Sequence, residues 1–374
     1  MTSEFSVGVF YVGCHFTKRE DIKFTRLSVR YSQLKEWLRE GLFHYEESKN
    51  EEGLSEHVWK LTMPKVKEIF LDKSKISIGY GFATSFGGAW ETPKFEAHTG
   101  ISIDVSDKMH IDDFFPIAYD LKNFLTLAMG DEVSILAIEG TNKSIKEYGT
   151  IQISYRKRIS NQKLFSFPHV PFLYKSISER PDFYLQNWFN LIEKIKPTYD
   201  LFFGTVYNPH LYPTHTFLNL AQALESYHSR ISDNEVMCDE SFKELLSPIL
   251  NIISKIPKPE LRQHFKSRAE FMNNKSLRTR IEELFEEYGE LFMPFIDNKG
   301  KFIRKVVNTR NYYTHYGKHS EKRAAKVLEL PFLSNKLRFM LIVIFLKEIG
   351  FDDKVTKQAL RAYMQCTATR SIYE

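Results

Sequence analysis

The sequence predicts an α+β protein of two domains: a strand-rich N-terminal domain over residues 1–178, followed by an all-helical domain over 182–374. Two changes along the chain and its length carry that prediction. Up to about residue 175, apolar runs are short, rich in β-branched and aromatic residues, and often alternate with polar ones, as in Ile101-Ser102-Ile103-Asp104-Val105. From Asp182 onward nearly all apolar residues recur at helical spacing. A chain of 374 residues is long enough to bury two cores.

In the first domain the expected strands cover residues 5–12, 75–82, 100–105, 133–138 and 151–155. Gly79, Gly81, Gly87 and Gly88 mark bends or bulges among them. These glycines do not form a phosphate loop, since no Lys-Ser/Thr follows. Helices are expected over 31–42 and 115–129, the second with Pro116 near its start. In the second domain helices are expected over 183–195, 214–231, 241–256, 259–272, 277–291, 301–316, 336–349 and 353–364. Pro257, Pro259, Asn273-Asn274, Gly317 and Gly350 separate them. Asp112-Asp113 and Asp352-Asp353 read as helix N-terminal caps.

Composition excludes several classes. With 43% apolar and 26% charged residues the composition is that of a globular protein and argues against wholesale disorder. The 31 Phe and 19 Tyr read first as core filling. A net charge of +5 does not mark a nucleic-acid binder unless it is concentrated. Cys14, Cys238 and Cys366 form neither a disulfide framework nor a zinc site. The N-terminal residues lack the pattern of a signal peptide, and the strongly apolar run 339–346 is too short to cross a bilayer. A soluble, cytoplasmic protein without a membrane partner is expected. No grouping has metal-ligand spacing and no cofactor is expected; His228, on the Ala221-Leu224-Ile231 stripe, reads as a satisfied core histidine rather than a ligand with His210 and His215.

The charge is concentrated in one place. Residues 301–326 carry eight Lys/Arg against one acid, Glu321, which is either a phosphate-binding surface or a solvated face balanced by the acidic run 282–290. On a helical wheel of this segment Phe302, Ile303, Val306, Val307 and Tyr313 form an apolar stripe, with Arg310 near its centre. A guanidinium on a packing face needs a compensating acid, interface or phosphate, because burying it unpaired costs several kcal/mol. His315 lies about 140° further round an ideal helix. With Gly317 as the expected C′ residue the helix ends beside this histidine, where the dipole favours imidazolium. A second Arg-x4-His, from Arg39 to His44, contains Gly41 and lies in the strand-rich half; it reads as a chance copy.

Arg310-Asn311-Tyr312-Tyr313-Thr314-His315 resembles the HEPN motif: an arginine, a polar residue, and a histidine four to six positions beyond the arginine. Upstream, the helix from Phe217 to His228, with Leu220, Leu224 and Glu225, is similar to the opening helix of the ApeA-like HEPN group. The resemblance covers residues 185–365, and the N-terminal half only through residues 27–38. It implies a dimeric, metal-independent endoribonuclease of anti-phage defence, in which the RNA 2′-hydroxyl attacks the adjacent phosphate and leaves a 2′,3′-cyclic phosphate. On this resemblance Arg310 would neutralise the developing phosphorane charge, His315 would act as acid or base, and Asn311 would orient the phosphate or the imidazole. Lys305, Tyr312, Lys318 and His319 are candidate RNA contacts. Glu225 is a candidate partner of Arg310, a plain structural salt bridge being equally open. The expected partners are RNA, a second copy joined through the HEPN helices, and a phage-derived trigger acting on the N-terminal domain. The alternative is a HEPN-like dimerisation or binding module that does not cut RNA; for nucleotide transfer no catalytic pattern is visible.

Overall fold

A computed structural model of the protein describes residues 9–87, 92–142, 149–155 and 170–373. The chain divides into two units, Met1–Phe189 together with Ile349–Glu374, and Asn190–Glu348.

The first unit begins with β1 (Val9–Val12), β2 (Lys23–Tyr31), α1 (Leu34–Leu38), β3 (Phe43–Lys49), β4 (Ser55–Leu61) and β5 (Lys67–Phe70). It continues with β6 (Lys75–Gly87), β7 (Thr92–His110), α2 (Ile111–Met129), β8 (Ile135–Thr141) and β9 (Ile151–Tyr155). Among the described residues, seven strands form an antiparallel sheet in the order β1-β9-β8-β2-β7-β6-β5, and β3 and β4 form a separate hairpin. Period-two alternation puts the apolar side chains in rows across the sheet. Ile103 lies between Leu27 and Ile76, and Ile101 lies between Val29 and Ile78, all buried. The helix α2 packs on β2 and β7 with Phe114, Ala118 and Leu121 inward.

Several local expectations are corrected. The helix expected over 31–42 shrinks to α1, held between left-handed Gln33 and Arg39, because Tyr31 belongs to β2. The β2 to β5 strands escaped the sequence reading: β3 and β4 are exposed along nearly their whole length and show no core-facing alternation. At α2 the cap is His110, whose ring accepts from Asp112 N–H at 3.3 Å, while Asp112 and Asp113 sit in the first turn. Asp352 does cap the last helix, accepting from Val355 N–H at 2.8 Å. Residues 5–8 of the first expected strand, and Gly88, lie outside the described residues.

That last helix, α11 (Asp353–Tyr373), groups with the strand-rich unit rather than with the other helices, so the helical region of 182–374 is not one unit. The Tyr363 hydroxyl donates to the carbonyl of Leu127, and Phe351 packs on Phe172 and Tyr184 at 4.9 and 4.8 Å.

The second unit takes the C-terminal part of α3 (Pro181–Val206), whose helical geometry breaks at Ile195, two residues before Pro197. It contains α4 (Pro213–Ile231), α5 (Asp239–Ser254), α6 (Pro259–Glu270), α7 (Leu277–Phe292), α8 (Lys299–His315), α9 (Lys318–Glu321) and α10 (Leu330–Glu348). All residues from Phe339 to Leu346 are buried, so α10 is apolar on every side and must be enclosed. Helices α4 and α7 pack against it, and α8 packs against both of those. Among the described residues no helix is long and apolar enough to cross a membrane.

His228 on α4 is a satisfied core histidine, 1% exposed. Arg280 donates to its Nδ1 at 3.2 Å, so Nε2 carries the proton and donates to Glu283 at 2.6 Å. Lys275 completes the network on Glu283 at 2.9 Å. Burial lowers the His228 pKa below its ordinary 6.5. The unfolded chain therefore takes up this proton first, so the stability it contributes is complete above pH 6.5 and falls as the pH drops below it. Urea unfolding of the wild type should weaken between pH 7.5 and 5.5 more than that of His228→Gln; equal pH dependence in the two proteins would refute this.

Candidate active site

Helix α8 starts at Asn298, whose side chain accepts from Lys301 N–H at 2.8 Å. Its buried face is Phe302, Ile303, Val306, Thr309 and Tyr313. The polar hydroxyl of Thr309, 0% exposed, sits where the wheel placed Arg310. It accepts from Ala325 N–H at 2.8 Å, while the Tyr313 hydroxyl donates to Ala325 O at 3.1 Å. Lys305 donates to Ala324 O at 3.1 Å and to Glu329 at 3.2 Å. Side chains at 305, 309 and 313, one turn apart, thus grip two successive peptide groups and hold the returning chain against α8.

Arg310 lies at the edge of the buried face, not at its centre, with its side chain 34% exposed. Its Nη2 donates to Glu225 on α4 at 2.9 Å, and Nη1 donates to the Asn311 side chain at 3.4 Å. Among the described residues these use two of the five guanidinium donors. The carboxylate of Glu225 holds one side of the fork and leaves the rest of the guanidinium edge available to an anion. At about one-third exposure the pair contributes on the order of 1 kcal/mol, so its weight is in orientation.

His315 is the last residue of α8 and is exposed; among the described residues no hydrogen bond or ion pair engages its ring. The helix stops one residue earlier than the glycine suggested. Tyr316 takes the left-handed cap conformation at φ 50°, while Gly317, at φ −71°, precedes α9. Tyr316 is braced by aromatic contacts with Tyr312 and Tyr313 at 5.6 and 6.1 Å.

The other candidates sort accordingly. Asn311 is exposed beside Arg310, and Lys318 is exposed at the start of α9. Tyr312 is half-buried in the tyrosine cluster. Lys305 has its ammonium committed to Ala324 and Glu329. The side chain of His319 lies outside the described residues. Arg39 and His44 stand on different elements, one ending α1 and the other on β3. Among the described residues no three His, Cys, Asp or Glu side chains are grouped to hold a metal ion. The clamp on Ala324 and Ala325 was missed in the sequence. Its one trace is the 302-306-309-313 spacing, in which a threonine takes a core position.

Two family models match the chain. Residues 218–355, which contain α4 with Glu225 and α8 with Arg310 and His315, match the Apea-like HEPN model. Residues 1–188 match the ApeA N-terminal domain 1 model. The chain belongs to the ApeA-like HEPN family. HEPN domains are generally nuclease-related and typically act as dimers. Comparison with curated proteins and with solved structures finds no significant match. Within this ApeA-like HEPN chain the motif segment ends α8, and the clamp fixes the chain that follows it.

The clamp generates a prediction. Thr309→Val keeps the volume but leaves the buried Ala325 N–H without its acceptor, a cost of roughly 1–3 kcal/mol. Thr309→Ser keeps the bond and should lose less. Urea unfolding should rank them in that order, and limited trypsin digestion of Thr309→Val should speed up at Lys318 and Lys322. Equal stability of both variants with the wild type would remove the clamp.

Proposed function

We propose that this ApeA-like HEPN protein is a metal-independent endoribonuclease of anti-phage defence, acting in the cytoplasm on RNA. The observation that carries the reading is Arg310: it is held on one side by Glu225, has donors left over, and precedes by five residues an exposed, unengaged imidazole at the end of α8. An arginine in a purely structural ion pair accounts for the contact with Glu225 but not for the uncommitted histidine that ends the same helix.

In this reading the ribose 2′-oxygen attacks the adjacent phosphorus while a base removes its proton. The bond to the 5′-oxygen breaks as an acid protonates that leaving group, and the product ends in a 2′,3′-cyclic phosphate. Arg310 neutralises the non-bridging oxygens as charge builds on them. His315 serves as acid or base, and Asn311 orients the phosphate or the guanidinium. Lys318, with His319 and Tyr312, supports the RNA, whereas Lys305 is better read as part of the clamp. Two copies meeting through α8 would bring two histidines to one cleft, so that one imidazole takes a proton while the other gives one. A phage-derived trigger acting on the strand-rich unit completes the reading.

Arg310→Ala and His315→Ala should each lower RNA cleavage by at least 100-fold, in line with the order of magnitude for removing a charge stabiliser or a general acid–base group, with the melting temperature retained. His44→Ala should leave cleavage unchanged. Activity should persist in excess EDTA and yield cyclic phosphate ends. Dependence on added Mg²⁺ or Mn²⁺, or full activity of His315→Ala, would overturn the mechanism. If the cleft is shared across chains, mixing the two inactive variants should restore partial cleavage.

A further inference from the structure

Helices α5 and α6 form an arm on the helical unit whose base is closed like a clasp. Val236 N–H donates to Asn273 O at 2.8 Å and Lys275 N–H to Asn234 O at 2.9 Å. The buried Asn273 side chain closes the clasp, accepting from Met237 N–H at 3.1 Å and donating to Met237 O at 2.9 Å. Beyond the clasp α5 packs against α6, and on α5 the side chains of Phe242, Leu246, Ile249 and Ile253 are half-buried or buried. The outward side is different. Leu245, Ile252, Leu261, Phe265, Phe271 and Met272 are all exposed, Ile252 and Phe271 at 68% and 69%. So many large apolar side chains on one 35-residue excursion, 238–272, exceed the scattered exposures normal for a monomer surface.

The spacing on α5 says what the outward face is built to meet. Ser241, Leu245, Pro248, Ile252 and Lys255 are all exposed and follow one another at intervals of 4, 3, 4 and 3 residues, the seam of a helix that packs lengthwise on another helix. The charges along this seam are opposed end to end. Residues 239–244 carry Asp239, Glu240 and Glu244 against Lys243, and residues 255–258 carry Lys255 and Lys258 without an acid. Among the described residues none of Glu240, Lys243, Glu244, Lys255 and Lys258 has an ion-pair partner. An antiparallel copy of the same helix, centred between Pro248 and Ile249, sets Leu245 against the partner's Ile252. The same register sets the acidic stretch 239–244 beside the partner's basic end at 253–258. A parallel copy would set like charges together, so the charges select one orientation.

We propose that α5 is a self-association surface, pairing antiparallel with α5 of a second copy of this chain across a two-fold axis near Pro248. The contact is isologous: Leu245 of each copy meets Ile252 of the other, and each acidic stretch meets the other copy's basic end. It stands apart from the chemistry at Arg310 and is tested without an RNA assay.

Sedimentation of the full chain should show an association step that Leu245→Glu/Ile252→Glu weakens at least ten-fold without loss of helicity. Glu240→Lys/Glu244→Lys, which leaves the apolar seam intact, should weaken the same step, and adding Lys255→Glu/Lys258→Glu should restore it. In a Cys238→Ser background, Pro248→Cys should oxidise to a disulfide-linked dimer, and Leu245→Glu/Ile252→Glu should suppress the link. Identical association of the wild type and both sets of variants, or no link through Pro248→Cys, overturns the proposal.

Discussion

Everything in the helical unit follows from α10. A helix apolar on all sides has no face to offer water, so it must be wrapped, and α4 and α7 supply the first layer. Helix α8 then lies against those two helices, which leaves one long edge of α8 at the protein surface. That layering decides which α8 residues are core and which reach the surface. Phe302, Val306, Thr309 and Tyr313 face inward, while Arg310 and Asn311 come to the rim where α4 ends its cover, with Glu225 waiting there. Arg310 meets its carboxylate because two helices share a neighbour, not because the two residues are close in the chain.

The strength of the Arg310–Glu225 contact matters less than its partial exposure. Were the pair fully buried, desolvation would cancel most of the Coulomb gain and close the site to any ligand. Were it fully exposed, two long side chains would hold no fixed geometry. At about one-third exposure Glu225 fixes the direction of the guanidinium plane while part of the group stays open to solvent. A lysine in the same place would present a single flexible point charge and could not serve both partners in a fixed geometry.

Much of this was legible in the sequence because it is periodic. The helices of the second unit, the core role of His228 and the meeting of Glu225 with Arg310 can all be read from apolar stripes and the residues at their edges. What escaped depends on tertiary context. Strands β3 and β4 bury almost nothing, so they leave no alternation to detect. The affiliation of α11 is decided by where Tyr363 and Phe351 dock, which helical periodicity does not encode. The wheel put Arg310 at the centre of the packing face because threonine counts as polar; in the fold Thr309 takes that position by satisfying a backbone N–H that arrives from sixteen residues later in the chain.

The cap of α8 shows the same limit, and it bears on the site. Glycine is the ordinary choice for a left-handed cap, and a non-glycine residue there costs about 1–2 kcal/mol. The chain nevertheless places Tyr316 in that conformation and leaves Gly317 in an extended one. One feature that offsets the strain is the tyrosine cluster, in which Tyr316 touches the rings of Tyr312 and Tyr313. Because the turn comes at Tyr316, His315 is the final helical residue and its imidazole meets solvent beside the C-terminal dipole. A turn at Gly317 would carry α8 one residue further and set another side chain between the imidazole and the helix end. A strained residue next to the exposed histidine, braced by two neighbouring tyrosine rings, therefore sets the point at which the helix ends and the backbone from which the imidazole projects.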